Sequence, residues 1–133
     1  SKQIPKVQEH TITCATSFAQ KAGVAALRGP AEPLQTMVAE FRARRDLICS
    51  LLGTIDRVST FRPGGAFYVF PKFDVPIDDG ALGEKLLKEA KVAITPGSAF
   101  GAAGAGHERL SYAASRETIT EAVRRIGEVV DGL

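Results

Sequence analysis

Cysteine and histidine are scarce in this chain of 133 residues, which contains two of each. Cys14 and Cys49 are too few and too unpatterned for the disulfide framework of small secreted domains, so we expect both thiols to be reduced. The close pairs of cysteine or histidine ligands that a structural zinc site requires do not occur, and no metal is expected. With His10 and His107 as its two histidines and no Gly-x-Ser-x-Gly segment, the chain also lacks the pattern of a Ser-His-Asp hydrolase.

A large excess of one charge is missing too. Seventeen basic and fifteen acidic residues leave a formal net charge of +2, far from the clustered excess of nucleic-acid or membrane-surface binders. Apolar stretches such as residues 22–27 and 65–70 are too short to span a bilayer, and no signal-peptide pattern opens the chain. We therefore expect a cytoplasmic protein with no nucleic-acid partner and no membrane partner.

Four segments have the patterns of helices in a chain that is 44% hydrophobic and 24% charged, a composition typical of one globular domain. Residues 16–28 are alanine-rich, and residues 33–52 place apolar side chains near a 3.6-residue period. Asp78 or Asp79 can cap a third helix, and Ser115 can cap the last one. The apolar faces of the third and last helices contain Leu82, Leu86, Leu87 and Ala90, and Ile119, Ala122, Val123, Ile126, Val129, Val130 and Leu133, respectively.

Strand-like segments lie between the helices. Residues 54–61 and 66–73 are rich in β-branched or aromatic side chains and should pair as antiparallel neighbours, and residues 92–95 and 109–114 predict two more short strands. Residues 1–12 show neither a helical nor a strand period, so we expect them to be a connection into the domain rather than its start. The pattern predicts an α+β fold in which a short, mainly antiparallel sheet of three to four strands packs against helices.

Arg109 stands at the head of a strand-like segment, directly after a glycine-rich loop over residues 101–106. A guanidinium presents a rigid fork of donors that matches a carboxylate, although an arginine at a strand end is more often a solvated charge. The glycines precede a strand rather than a helix, so they do not form a dinucleotide fingerprint. We expect a mobile or tightly turned loop without a phosphate-binding role.

The order of five segments is more informative than any one of them. These segments are residues 20–27, Arg44-Arg45-Asp46, 63–68 (PGGAFY), 90–101 (AKVAITPGSAFG) and 109–113 (RLSYA). In this order they resemble the C-terminal small domain of a class I aminotransferase. Enzymes of this class are similar to aspartate aminotransferase, have fold type I and depend on pyridoxal phosphate. The resemblance covers nearly the whole chain.

The resemblance implies a small domain over residues 16–133, joined through residues 1–15 to a large domain that the chain lacks. It implies that Arg109 binds the α-carboxylate of the substrate and that Phe67 borders the substrate. The implied reaction transfers an amino group between an amino acid and a 2-oxo acid, in a homodimer, and a related lyase or decarboxylase of the same fold is the alternative within the family. Cys14-Ala15 stands where the family often has an Asn-Pro pair near the neighbouring subunit's active site. This difference leaves open whether the segment contacts the substrate and which substrate side chain the enzyme accepts.

The family's Schiff-base lysine follows a serine and precedes a Gly-Trp-Arg cluster. Ser1-Lys2 matches only the serine and the lysine of this motif, because Gln-Ile-Pro-Lys follows in place of the Gly-Trp-Arg cluster. The family's pyridine-binding aspartate and phosphate-binding residues belong to the large domain. We therefore expect no catalytic residue and no bound pyridoxal phosphate on this chain alone, which would be inactive as an isolated fragment.

An RNA-binding module is the alternative interpretation. The aromatic segment from Ala66 to Phe70 resembles the central strand of an RNA-recognition motif, in which alternating aromatic side chains stack on bases. Gly65 stands where that motif needs its first stacking aromatic, and Pro63 where it needs a basic residue. The small net charge would also limit the electrostatic part of RNA affinity.

Overall fold

A computed structural model describes residues 3–12 and 14–133. The chain divides into two compact units, one up to Gln35 and one from Thr36 to Leu133. The first unit contains helix α1 (Ile4–Thr11), helix α2 (Ser17–Arg28) and the start of helix α3 (Glu32–Leu52). Within the described ranges, no helix combines the length and the apolar character needed to cross a membrane.

Helix α1 corrects the expectation that residues 1–12 lack regular structure. Pro5 occupies the first turn of this helix, where its missing N–H costs no hydrogen bond and its fixed φ favours the helix. Ile4, Val7 and Thr11 recur at helical spacing, but eight residues are too few for that period to stand out in the sequence. Ser1, Lys2 and Thr13, which belong to the predicted connection, lie outside the described residues.

Helices α2 and α3 confirm the first and second helices predicted from the sequence. Thr16 directly precedes α2. The apolar stripe of α3 differs between its two halves, because Ile48 and Leu52 are buried while Leu34 and Met37 are 57% and 51% exposed. Helix α2 has no buried residue among its twelve. The apolar side chains of this part of the chain therefore face outward.

Five short strands form two antiparallel sheets in the described chain, which confirms the α+β class. Strand β1 (Val58–Ser59) pairs antiparallel with β3 (Lys72–Phe73). The two segments predicted as antiparallel neighbours, residues 54–61 and 66–73, therefore do pair at these residues. Strands β2 (Tyr68–Val69), β4 (Thr95–Pro96) and β5 (Glu108–Ser111) form the second sheet in the order β2-β5-β4.

Two predicted strands differ from the observed ones. The predicted strand over residues 66–73 is divided between β2 and β3 because Pro71 lies between them and cannot donate a ladder hydrogen bond. The strand predicted over residues 92–95 pairs only at its end, where Thr95 lies opposite Arg109 in the adjacent strand.

Helix α4 (Asp79–Lys85) begins at the predicted cap, where the Asp78 carboxylate accepts a hydrogen bond of 2.9 Å from the Ala81 amide. It continues into a π-helical turn, Leu86–Ala90. Leu87 was predicted to face the core, but it is 54% exposed. Leu87 follows the buried Leu86 by one residue, a rotation of roughly 100° about the helix axis, so Leu87 lies beside the buried face and not on it.

Helix α5 (Arg116–Asp131) has the strongest apolar period and forms one side of the core as predicted. Its buried residues pack with residues of α3, α4, the π turn and the strands into one cluster. The buried apolar residues are Ile48, Leu52, Val69, Phe73, Leu82, Leu86, Ala90, Leu110, Tyr112, Ile119, Val123, Ile126 and Val130.

Ser115 is the N-cap of α5, and its hydroxyl accepts a hydrogen bond of 3.2 Å from the Thr118 amide. Replacing Ser115 with alanine should lower the free energy of unfolding by about 1 kcal/mol, because that amide loses its partner. Urea unfolding followed by circular dichroism measures the change. Ser50→Ala, at an exposed site within α3, should stay within about 0.5 kcal/mol of the parent. Equal losses in the two variants would contradict the capping role.

Candidate functional site

The Arg109 side chain is half-buried on β5 and lies against two aromatic rings. Its Cζ is 4.5 Å from the centroid of the Tyr68 ring and 4.6 Å from that of the Phe100 ring. Its Nη2 donates a hydrogen bond of 3.3 Å to the Thr95 hydroxyl on the neighbouring strand. It makes no salt bridge with any carboxylate of the described chain. A guanidinium in this setting retains donors for an external anion.

Phe67 borders a groove of about 450 Å³ in the second unit. Its ring centroid lies 6.2 Å from that of Phe41 on α3. The backbone behind it is fixed by Tyr112, whose amide donates to the Phe67 carbonyl and whose hydroxyl donates to the Ala66 carbonyl, both at 2.9 Å. Arg45 also lines the groove. The groove is therefore an aromatic surface with a basic rim.

Tyr68 connects the two residues that the resemblance selected. Its ring centroid lies 4.4 Å from that of Phe67, and the same ring contacts the Arg109 guanidinium. Arg109 is not among the residues that line the groove beside Phe67. The structure thus places Arg109 and Phe67 in contact with the same tyrosine ring, with Phe67 alone of the two lining the groove.

The loop before Arg109 is tightly turned. Two short 3₁₀ turns, Gly97–Phe100 and Ala102–Gly104, follow β4. A Cβ on Gly97 would lie 2.1 Å from the Gly104 carbonyl oxygen, and one on Gly104 would lie 2.0 Å from the Gly97 carbonyl oxygen. Only glycine allows this crossing of two backbones. The crossing brings Phe100 over Arg109.

The backbone amides of this loop are engaged within the chain. The Gly97 amide donates to the His107 carbonyl, the Gly101 amide to the Ser98 carbonyl and the Gly104 amide to the Gly101 carbonyl. The Ser98 amide donates to the Asp79 carboxylate at 2.7 Å. A phosphate cradle needs amides that are free to point at the anion. These four amides cannot form one.

Glu108 and Asp79 form a buried carboxyl pair behind the Arg109 strand. Glu108 is 0% exposed, and neither of its carboxyl oxygens has a hydrogen-bond partner in the described chain. Burial and the negative charge of Asp79 raise the pKa of the Glu108 carboxyl to about 8. Hydrogen bonds from the side chain and the amide of Ser98 lower the pKa of Asp79. Glu108 is therefore mainly neutral at pH 7 and Asp79 is ionised.

Metal binding has no clear candidate, since no group of three or more His, Cys, Asp or Glu side chains in the described ranges is placed to hold an ion. Cys14 is exposed and Cys49 is half-buried, and both are free thiols. Burial raises the pKa of Cys49, which packs against the core. A raised pKa lowers the thiolate fraction and the reactivity of a cysteine.

Three residues of this region were not selected from the sequence. Tyr68 and Phe100 contact Arg109 from another strand and from a loop, and such contacts are not visible in a single sequence. Glu108 left a local signal, because strand alternation places it on the same side of β5 as Leu110. An apolar residue at 110 that faces the core implies that the carboxyl at 108 faces it too.

The comparisons with known proteins agree on one family. The model of the family described as aminotransferase class I and II matches residues 2–126. A probable aspartate aminotransferase of Methanocaldococcus jannaschii is 43% identical over 126 residues, which are 95% of this chain and 33% of that protein. The aspartate aminotransferase of Pyrococcus horikoshii is 35% identical, over 98% of this chain and 34% of that protein.

Solved structures agree with the sequence comparison. The crystal structure of an aromatic aminotransferase from Pyrococcus horikoshii matches with a TM-score of 0.88 at 36% identity, over 98% of this chain and 36% of that one. An aspartate aminotransferase from Thermotoga maritima matches with a TM-score of 0.81 at 40% identity, over 95% of this chain and 32% of that one. The chain thus spans about a third of the length of the proteins it matches.

The RNA-recognition alternative gains no support from these comparisons. The structure also offers a physical argument against it, because β2 is an edge strand of its described sheet rather than a central one. Its Tyr68 ring is already in contact with Arg109 and Phe67. A platform for stacked bases requires aromatic faces that are open to the nucleic acid.

Proposed function

Because this chain belongs to the class I and II aminotransferase family, we propose that it supplies the substrate-carboxylate site of a pyridoxal-phosphate aminotransferase. The complete enzyme transfers an amino group between an amino acid and a 2-oxo acid. The observation that carries this proposal is Arg109, a half-buried guanidinium that lies against two aromatic rings and has no carboxylate partner in the described part of the chain.

Arg109 acts by binding and orienting the substrate. Two parallel hydrogen bonds from one guanidinium fix both the position and the plane of a carboxylate. Fixing the carboxylate also fixes the direction of the Cα–H bond relative to the groups that remove its proton, and such orientation lowers the barrier without any bond to the arginine. The aromatic rings around Arg109 reduce its contact with water, which strengthens its attraction for an anion.

Phe67, which contacts the same Tyr68 ring as Arg109, borders the substrate. Its ring is 41% exposed and stands over a groove that also contains Phe41. A large apolar face at this position excludes water from a bound substrate and gives its aliphatic part a surface to pack against.

The cofactor itself does not fit the described residues of this chain. No lysine lines the groove beside Phe67, and the loop amides that could meet a phosphate are engaged with one another and with Asp79. Lys2 lies outside the described residues. Pyridoxal phosphate supplies the electron sink for this family's chemistry. We assign its binding to the rest of the enzyme, so the isolated chain would be inactive.

The rest of the enzyme would also cover the exposed apolar side chains of the first unit. Phe18 and Leu27 on α2 are 76% and 89% exposed, and neither α1 nor α2 has a buried residue. Exposed apolar patches of this kind mark surfaces that another polypeptide covers. We propose the large domain as that partner, in a cytoplasmic homodimer.

We propose residues 1–15 as the connection to the large domain and residues 16–133 as the small domain. The division at Gln35 separates compact units of this chain.

Activity of the full-length protein that contains this segment tests the proposal. Purified with pyridoxal phosphate, it should convert an amino acid and a 2-oxo acid into the corresponding 2-oxo acid and amino acid in equal amounts, measured by chromatography over a panel of amino acids. Absence of transfer from every amino acid, together with salt-sensitive RNA binding that depends on Phe67, Tyr68 and Phe70, would instead favour the RNA-binding alternative.

A further inference from the structure

The Arg109 guanidinium is held by aromatic rings rather than by an acidic side chain. The Tyr68 and Phe100 ring centroids both lie within 4.6 Å of its Cζ. A guanidinium attracts the electron-rich face of an aromatic ring through its own flat face, and this attraction uses none of its N–H donors. The contacts therefore restrain the position of the group while its hydrogen-bonding edge stays open.

A carboxylate partner would have a different effect on this arginine. An acidic side chain paired with Arg109 would occupy the same N–H groups that a ligand carboxylate needs, and the ligand would have to displace it. The adjacent carboxyl, Glu108, is turned into the core. The hydrogen bond to Thr95, at 3.3 Å, uses a single nitrogen.

We propose that Tyr68 and Phe100 are positioning residues, which hold the Arg109 guanidinium so that its open edge meets the α-carboxylate of the substrate. This inference rests on the carboxylate-binding role proposed for Arg109. Held in one orientation, the guanidinium loses less conformational entropy when the substrate binds. The two rings therefore raise the affinity for substrates that carry a carboxylate and leave other substrates unaffected.

The two rings differ in how they are fixed. Tyr68 lies in β2, opposite Ser111 of β5, so the sheet ladder places its ring. Phe100 ends a 3₁₀ turn whose Ser98 amide donates to the Asp79 carboxylate, and its ring forms a T-shaped contact with the Phe70 ring at a centroid distance of 6.1 Å. Phe100 is 54% exposed. Its removal therefore leaves the buried core intact, which makes it the better site for a test.

The test compares Phe100 variants of the full-length enzyme. Phe100→Leu should raise KM for amino acids on the order of 2- to 30-fold, the range of a lost cation–π contact. The rate with an amine of the same side chain that lacks the carboxylate should stay within about twofold. Phe100→Tyr keeps the aromatic face and should restore the parent KM. Phe61→Leu is the matched control, because Phe61 is 83% exposed and makes no aromatic contact in the described chain.

Three results would overturn the inference. The first is an unchanged KM in both Phe100→Leu and the second variant, Tyr68→Leu. The second is an equal loss with amino acids and with the carboxylate-free amine, which would mean general damage to the fold. The third is a failure of Phe100→Tyr to restore KM. Arg109→Leu distinguishes the carboxylate-binding role of Arg109 from the positioning role of the two rings. If Arg109→Leu also leaves KM unchanged, the proposed function of Arg109 is wrong. If KM rises in Arg109→Leu and in neither ring variant, only the positioning role is wrong.

Discussion

Replacing Glu108 with glutamine should abolish a loss of stability that the parent chain undergoes as the pH rises from about 4.5 to about 8. The Glu108 carboxyl is fully buried without a hydrogen-bond partner in the described chain, and its pKa is raised to about 8 from an ordinary value of 4.5. Burial is the main cause and the Asp79 charge the second. Glutamine keeps the shape of the side chain and cannot ionise.

The direction of the effect follows from the number of protons that each state binds. Between pH 4.5 and 8 the unfolded chain has lost the Glu108 proton while the folded chain retains it, so each rise in pH favours unfolding. Below this window both states are protonated, and above it both are ionised, so the slope disappears on either side. At about 1.4 kcal/mol per pKa unit, the full loss amounts to about 5 kcal/mol.

Urea unfolding at a series of pH values, followed by circular dichroism, measures this difference. The free energy of unfolding of Glu108→Gln should lie increasingly above that of the parent from pH 5 to pH 8, apart from a constant offset for the buried amide. Glu84→Gln is the control, because the exposed Glu84 pairs with Lys88 and this hydrogen bond lowers its pKa. Parallel curves for the parent and Glu108→Gln would show that the Glu108 carboxyl is not held neutral.

The helices were predictable to the extent that their patterns were long. Helix α5 repeats apolar residues over sixteen positions behind a serine cap, and its period cannot arise from a strand. Helix α1 has eight residues, too few to distinguish a period from chance. Leu87 was predicted to lie on the core face, but it directly follows the buried Leu86 and is exposed, because an apolar residue at the margin of a helical stripe can lie just outside the buried face.

The strands were less predictable, since pairing depends on residues that are distant in the sequence. Lys72 and Phe73 were expected to continue the strand that contains Tyr68 and Val69, but the two pairs of residues belong to different sheets. Proline at 71 was a local signal for this break. The local sequence does not show that residues 68–69 pair with β5 and residues 72–73 with β1, because these contacts are distant in the chain.

The candidate site was predictable only through the resemblance. Arg109 and Phe67 were identified because their motifs resemble those of a known family. The rings that hold Arg109 are 41 and 9 positions away from it in the chain, at Tyr68 and Phe100, and single-sequence patterns do not report such contacts. The sequence therefore indicated which residue to propose as the carboxylate binder, and it did not indicate which side chains contact that residue.

Replacing Arg109 with leucine in the full-length enzyme should lower kcat/KM for amino acids by roughly 30-fold to several-thousand-fold, which corresponds to a loss of about 2–5 kcal/mol. Leucine removes both the charge and the fork of donors. Lysine keeps the charge but loses the two parallel hydrogen bonds and the guanidinium that contacts Tyr68 and Phe100, so Arg109→Lys should lose less than Arg109→Leu.

Steady-state kinetics over a panel of substrates measures both changes, and carboxylate-free amines distinguish binding from general damage. Their rates should change little in either variant, because the lost partner is the carboxylate. Arg124→Leu is the matched control: it removes the same charge from an exposed position on α5, where Arg124 pairs with Glu121, and such surface pairs contribute little. If Arg109→Leu reacts with amino acids within about threefold of the parent, a difference below 1 kcal/mol, Arg109 is a solvated strand-end charge and the carboxylate lies elsewhere.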